Sequence, residues 1–287
     1  MNREAVSDRK RSVRATILVA NTAADGLCGE WGLCVLIEFG EKTILLDAGA
    51  SDLYLTNCQK LGFDIKDVDY AVLSHAHYDH AGGMAHFFAQ NEKASLFVRA
   101  TTAPNCYARK MLWGTIPYKK YIGIPKDLLA AHADRIVTAE GDVSLCDGAF
   151  LLPHKTQGLR AIGEREAMFR RIEKRWEPDD FSHEQSLVLD TDKGLVIFNS
   201  CSHGGAANIV REVQEALPGR TVFGYVGGLH LFNKTEEEIR AAARQIKKSG
   251  IRILCTGHCT GERAFGILQE EVGDGVQPLR AGLLLEF

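Results

Sequence analysis

YAVLSHAHYDHAGG, residues Tyr70–Gly83, opens as a short apolar strand over Tyr70–Leu73 and runs straight into three histidines and an aspartate within six positions. In an extended segment side chains alternate with period two, so His75 and His77 point the same way and their imidazoles can grip one cation. Asp79 and His80, past a turn, can then face a second cation close by. A loop at a strand's end is where side chains converge without disturbing the core, and Gly82 and Gly83 directly after would let the backbone tighten around the cluster. Four ligand-type side chains at this spacing point to a metal site rather than to isolated packing residues. His86, standing alone further on, reads as a surface or packing residue.

Working outward, apolar runs at Val13–Asn21 and Leu33–Asp47 read as sequential antiparallel strands, the second broken by a hairpin turn at Gly40-Glu41-Lys42. Ser51–Leu61 reads as a helix with Ser51 as N-cap and Gly62 as its stop. A second half repeats the alternation: strands at Ser186–Asp190 and Leu195–Asn199, a helix at Ala206–Ala216 and a strand at Thr221–Val226. It continues with a helix at Thr235–Ser249, a strand at Arg252–Cys255, a helix near Glu262–Glu271 and a closing strand at Ala281–Phe287. Two sets of alternating strands and helices favour a layered α/β sandwich. The expectation is one unit over residues 1–287, with insertions lacking strong strand signal at about 101–134 and 158–183. In the second insertion Ile162, Phe169, Ile172 and Trp176 fall near helical spacing beside Arg165, Arg170, Arg171 and Lys174, which reads as an amphipathic lid or dimer helix, or as a surface helix packed on the core.

A formal net charge of -3 argues against a polyanion partner, so nucleic acid is not expected. The basic run Arg9, Lys10, Arg11 and Arg14 precedes no apolar h-region, and nowhere do 18 apolar residues run together, so a cytoplasmic protein without a membrane partner is expected. The basic run itself reads as a solvated lead-in to the first strand. Eight cysteines scattered through 287 residues lack the density of a secreted disulfide scaffold and are expected to be mostly reduced and buried. Cys255 and Cys259, in CTGHC, lack the second pair that a zinc knuckle needs.

SHAHYDHAGG resembles the HxHxDH signature of the metallo-β-lactamase superfamily, and LLDAG, containing Asp47, resembles the strand-end aspartate that orients its first ligands. CSHGGAANI at Cys201–Ile209, GGLHL at Gly227–Leu231 and TGHCTGE at Thr256–Glu262 are similar to the dihydropterin–ribofuranosylaminobenzene phosphate synthase subfamily, across nearly the whole chain. The resemblance implies an αββα four-layer sandwich. It also implies a first metal held by His75, His77 and His203 and a second held by Asp79, His80 and His258. Where the superfamily carries a bridging aspartate this chain has NSCSH, so either Cys201 or His203 takes that place; if His203 bridges, His183 is the nearest substitute ligand, though it reads more readily as a surface histidine. Asp180 and Glu184 read equally as solvated charges.

One or two divalent ions, zinc first with manganese or iron as alternatives, would support hydrolysis, or a transfer in which metals stabilise a departing diphosphate, on a small anionic, phosphate- or ester-bearing molecule. Asp79 and His230 are the catalytic candidates. His230, at the end of an apolar strand, could donate a proton or bind a substrate oxygen, or be a hydrogen-bonded core histidine. Arg109, Lys110, Lys119, Lys120, Arg165 and Arg171 are available to meet anions. The alternative from another class is a metal-binding regulatory or ligand-sensing protein with little turnover.

Overall fold

The structure is a computed structural model that describes residues 12–287. Arg9, Lys10 and Arg11 of the basic run lie outside the described residues, while Arg14 sits in the first strand and pairs with Glu38 (3.3 Å) and Glu286 (3.4 Å).

Two seven-stranded sheets carry the architecture. In the first, the order is Leu284–Glu286, Val13–Val19, Cys34–Phe39, Lys42–Leu46, Tyr70–Val72, Ser95–Arg99 and Ile136–Ala139. The first four of these run antiparallel and the rest parallel. In the second, the order is Val276–Pro278, Ile253–Thr256, Val222–Val226, Gly194–Phe198, Gln185–Thr191, Ala149–Pro153 and Val143–Cys146, parallel over its first four strands. Apolar side chains on the facing sides, among them Ile17, Ile37, Leu46, Leu187, Phe198 and Val226, fuse into one buried layer between the sheets. The opposite faces are covered by helices. Leu53–Lys60 and Met84–Gln90 bury Tyr54, Met84 and Phe87 on the first sheet, and Ala206–Ala216, Glu236–Lys248 and Glu262–Val272 bury Ile209, Val213, Ile239 and Leu268 on the second. The result is the αββα four-layer sandwich.

Local chemistry accounts for most element ends. Gly40, with φ 60°, turns the hairpin between the second and third strands. Thr235 caps the helix Glu236–Lys248 through a reciprocal capping box with Glu238. Parallel strands at the middle of each sheet end at one rim, and the loops leaving them (Asp47, Ser74–His80, Asn199–His203, Gly227–His230 and Gly257–Cys259) meet there.

The two insertions differ from the reading of the sequence. In the second, only Leu159–Arg165 is helical; Met168–Ile172 and Arg175–Pro178 form a hairpin that pairs with Cys106–Leu112 of the first, itself paired with Ile116–Tyr121, giving a third, four-stranded sheet. The expected amphipathic helix over Ile162–Trp176 is therefore broken. Glu173 and Lys174 both adopt positive φ (46° and 69°), the two-residue turn whose twist suits a hairpin, and neither residue type signals it. Arg170 then stitches the insertions together, donating to Thr101 O (2.7 Å), Ser182 Oγ (3.0 Å) and Asp180 Oδ1 (3.2 Å). Among the described residues no helix is long and apolar enough to cross a membrane.

Candidate metal centre

His75 and His77 follow the strand Tyr70–Val72, His75 in a bend whose carbonyl accepts His77 N–H (3.0 Å) and His77 in extended backbone. Their rings lie 4.6 Å apart, centre to centre, so a tight bend and not the expected period-two alternation brings them together. His77 is the residue before a short helix, Tyr78–Ala81, whose first turn presents Asp79 and His80 to the same space. Gly82 and Gly83 are required by close approach rather than by dihedral angle: a Cβ there would meet Ala50 O and Ala48 O, each at 2.2 Å. His203 arrives from the loop after Gly194–Phe198, its ring 5.3 Å from His75 and 5.4 Å from His77. His258 arrives from the loop after Ile253–Thr256, 5.0 Å from the ring of His80. All six residues named from the sequence converge, from three distant parts of the chain.

The hydrogen bonds fix how these rings present themselves. Asp47, fully buried, accepts from Ser74 N–H (2.7 Å), Ser74 Oγ–H (2.7 Å), Ser200 Oγ–H (2.6 Å) and His80 Nδ1–H (2.7 Å). Because the Ser74 hydroxyl has given its one proton to Asp47, it accepts from His75 Nδ1 at 2.8 Å. Likewise His258 Nδ1 donates to Asn21 Oδ1 (3.0 Å), and the Asn21 amide is oriented by its own bond to His258 O (3.2 Å). Each neutral ring is left with a bare lone pair on Nε2. Two of these, on His80 and His258, face each other at 3.2 Å, with Asp79 Oδ2 3.5 Å from His258 Nε2 and 3.8 Å from His80 Nε2. Two lone pairs cannot share that space without a proton or a cation between them. The Nε2 atoms of His75 and His77 and both ring nitrogens of His203 are buried without a hydrogen bond, which suits ligands and little else.

Electrostatics agree with that tautomer pattern. Burial, reinforced by neighbouring imidazoles, holds His75 and His203 well below the ordinary histidine range, and burial with His183 pushes His77 down to about 4. His80 behaves oppositely: burial alone would lower it, but Asp79 and Asp47 push it up to about 9. Burial would raise the Asp79 carboxyl, yet His80 and His258 hold it well below the usual carboxylate range.

Cys201 occupies the centre of the cluster. Its Sγ lies within 4.8 Å of ligand atoms of His75 and His203 on one side and of His80 and His258 on the other. It is 3.4 Å from His80 Nε2 and 3.4 Å from the sulfur of Cys259. Ser202, His230 and His258 all adopt positive φ (55°, 49° and 49°), as does Asp47 (60°), so four non-glycine residues in these loops are held in a conformation that tertiary packing must enforce.

A cavity of about 280 Å³ opens over the cluster, lined by His77, Asp79, Cys201, His203, His230 and His258 on one side and by Trp31, Ala108, Lys110, Lys120, Ile122, Met168 and Phe232 on the other. Of the six cations named from the sequence, only Lys110 and Lys120 line it. Arg109 and Lys119 lie over Phe169, Arg171 lies over Trp176, and Arg165 pairs with Glu166 and Glu238. His230 lines the cavity with both ring nitrogens free of hydrogen bonds, 4.5 Å from the ring of His203 and with Nε2 3.9 Å from Glu166 Oε2.

Three residues stand differently from the sequence reading, and several were not seen in it. His183 is buried, not exposed; its Nδ1 accepts from Ala76 N–H (3.1 Å) and its Nε2 faces Asp179 Oδ2 (3.2 Å), so its polar atoms are already engaged. Glu184 is a buried carboxylate, not a solvated one, and accepts the backbone N–H of His203 at 3.2 Å. Asp180 is bound to Arg170 and Ser182. His154, which carries no motif, ion-pairs with Glu184 (3.1 Å) and Glu212 (3.7 Å) behind the His203 loop. Phe181 stacks flat on His203, 4.2 Å between ring centres. Trp31 packs against His258, ring centres 4.9 Å apart and planes tilted by 49°.

A fold of this kind with a histidine-rich rim defines a metal-dependent class. The sequence model of the metallo-beta-lactamase superfamily matches residues 32–258, and the chain belongs to that superfamily. It is 28% identical over 269 residues, 89% of this chain and 90% of the other, to the 7,8-dihydropterin-6-methyl-4-(beta-D-ribofuranosyl)-aminobenzene-5'-phosphate synthase of Methanocaldococcus jannaschii. Among solved structures it is similar to Tm1679, described as a metal-dependent hydrolase of the beta-lactamase superfamily, with a TM-score of 0.80, 27% identity and coverage of 96% of this chain and 99% of that one. The metallo-beta-lactamase fold protein YhfI of Bacillus subtilis shares the fold, with a TM-score of 0.59, 12% identity and coverage of 97% and 100%.

The network behind His203 generates a pH dependence. Burial disfavours the charged His154, but Glu184 and Glu212 push it up to about 9 from 6.5. A raised histidine contributes stability that is complete below its ordinary value and is lost as pH rises through the folded one. Urea unfolding of wild type and His154→Gln should therefore differ most near about pH 6 and converge by about pH 10. A gap that widens with pH would contradict the ion-pair assignment.

Proposed function

We propose that the chain is a two-metal enzyme acting on a small anionic, phosphate- or ester-bearing molecule with an apolar, planar body. The observation that carries this reading is the convergence of buried ring nitrogens without hydrogen-bond partners, Nε2 of His75 and His77 and both nitrogens of His203, beside the 3.2 Å approach of His80 Nε2 to His258 Nε2 and Asp79. His75, His77 and His203 would hold one ion, and Asp79, His80 and His258 the other. Cys201, within reach of both groups, is favoured over His203 as the shared ligand, which leaves His203 free to complete the first set. A thiolate among imidazoles suits zinc better than manganese or iron. Such ions supply an acidified water and stabilise charge on attacking and leaving oxygens.

The remaining roles fall to the chain. Lys110 and Lys120, on the wall of the cavity lined also by the cluster, receive the anionic group. Trp31 and Phe232, packed edge to face with ring centres 6.1 Å apart, form an aromatic wall for its body. His230 gives a proton to the departing oxygen from a ring nitrogen, and Glu166, itself held by Asn233 (2.7 Å) and Lys234, steadies it. The name of the methanogen relative, a synthase whose product joins a pterin to an aminobenzene ribosyl phosphate, supports an aromatic phosphate as the substrate class, and the description of Tm1679 supports hydrolysis. Hydrolysis is the reading put forward, with group transfer separated from it by whether water or an added amine acceptor takes the fragment.

Two variants test the roles. Asp79→Ala should lose one metal ion in preference to the other while its circular dichroism spectrum stays that of wild type; unchanged metal content would refute its role as a ligand. His230→Ala should keep its metal but lower turnover on a generic phosphodiester or thioester by about 10²–10⁴-fold, the size of a lost general acid or base. Loss of a metal would make His230 a ligand, and unchanged turnover would make it a packing residue.

A further inference from the structure

The hairpin formed by Cys106–Leu112 and Ile116–Tyr121 does two things at once. Its root lines the cavity through Ala108, Lys110 and Lys120, whereas its tip extends into solvent. At the tip Trp113 is 84% exposed, Met111 52%, Ile116 51%, and Leu112 and Tyr118 44% each. These five side chains lie within eight consecutive residues around one turn, so the exposed apolar groups are gathered at the tip rather than scattered over the protein. Exposed patches of this kind mark interaction sites.

Charge around the tip narrows the partner. Between Thr101 and Lys126 the chain contains no Asp or Glu, yet it carries Arg109, Lys110, Lys119, Lys120 and Lys126, in a protein of net charge -3. None of those five cations forms an ion pair among the described residues. Leu112 pairs with Ile116 and Arg109 with Lys119, so at roughly 3.3 Å per residue the paired cations stand about 10 Å behind the tip. That spacing matches a lipid interface, where apolar and aromatic groups sink about 5–10 Å and basic groups remain at the headgroup phosphates. The hairpin of a second copy would bring the same cations and no acid to pair with them.

We propose that this hairpin docks on an anionic phospholipid surface, with Trp113 and its apolar neighbours in the interface and Arg109 and Lys119 on the headgroups. The expectation of no membrane partner rested on the lack of a long apolar run, and a hairpin that lies in the interface needs none. Since the same hairpin forms one wall of the cavity, docking would set the catalytic opening beside the bilayer. The inference rests on the hairpin's apolar tip and the cations behind it and does not depend on the metal assignment.

Sedimentation of the full chain with vesicles of equal parts phosphatidylglycerol and phosphatidylcholine, and with phosphatidylcholine vesicles, tests it. At low salt the chain should pellet with the anionic vesicles only, release as salt rises, and shift its tryptophan emission to shorter wavelength. Trp113→Glu should cut the bound fraction at least about tenfold and abolish the shift with an unchanged thermal melt, and Lys119→Glu should weaken binding while retaining the apolar tip. The proposal is overturned if the chain stays in the supernatant at low salt, if it binds both vesicle types equally, or if Trp113→Glu binds as wild type does. It is also overturned if the chain sediments alone as a dimer that Trp113→Glu dissociates and no vesicle captures it, which would make a second copy the occupant.

Discussion

One buried carboxylate organises the rim of this protein. Asp47 ends a strand of the first sheet, and the groups it binds come from both sheets: Ser74 and His80 follow the neighbouring strand, and Ser200 follows a strand of the second sheet. An unpaired carboxylate would not tolerate zero exposure, and its four donors are what make the position stable. The same bonds dictate that His80 and, through Ser74, His75 use Nδ1 as donor. The Nε2 lone pairs are thereby turned toward one point. The geometry of the site is thus a consequence of where two sheets meet, and the helix Tyr78–Ala81 needs only one turn to bring Asp79 and His80 alongside.

Around that point the chain spends conformational strain and buried polarity in one place. Asp47, Ser202, His230 and His258 are all left-handed at φ between 49° and 60°, and each such residue costs on the order of 1–3 kcal/mol. What holds them is contact from outside each residue: the four donors on Asp47, Tyr225 and the Gly228 carbonyl on Ser202 Oγ, the Cys259 sulfur on His230 N–H, and Trp31 against His258. The third sheet completes the enclosure. By pairing Met168 with Ala108 it joins two insertions some sixty residues apart and builds the wall that carries Lys110 and Lys120.

What could be read from the sequence follows the range of the physics involved. His75, His77, Asp79 and His80 were legible because four ligand-type side chains within six positions after an apolar strand are a local pattern, although the chain bends at His75 instead of continuing the strand's alternation. The layered α/β pattern was legible for the same reason, as was the helix Ala206–Ala216 to the residue. His203 and His258 came only from resemblance, since nothing local distinguishes them. Cys201 and His203 could not be ranked as the shared ligand, because that depends on which sulfur or nitrogen lies between two groups drawn from distant loops. His183 and Glu184 read as surface residues, yet both are buried by partners, Ala76 for His183 and His154 for Glu184, that lie elsewhere in the chain. The hairpin at Met168–Pro178 was hidden by a turn of Glu173 and Lys174, which carries no glycine or asparagine to announce positive φ.

The claim at the centre of the account is that imidazole lone pairs, aimed by Asp47, Ser74 and Asn21, together with the single sulfur of Cys201, form the donor set of a metal centre. The K-edge absorption spectrum of the metal carried by the purified protein tests it most directly. It should show a shell dominated by imidazole nitrogens, with one sulfur scatterer that disappears in Cys201→Ser. A shell rich in sulfur, as Cys201 and Cys259 acting together would give, or one without imidazole scattering, would contradict it.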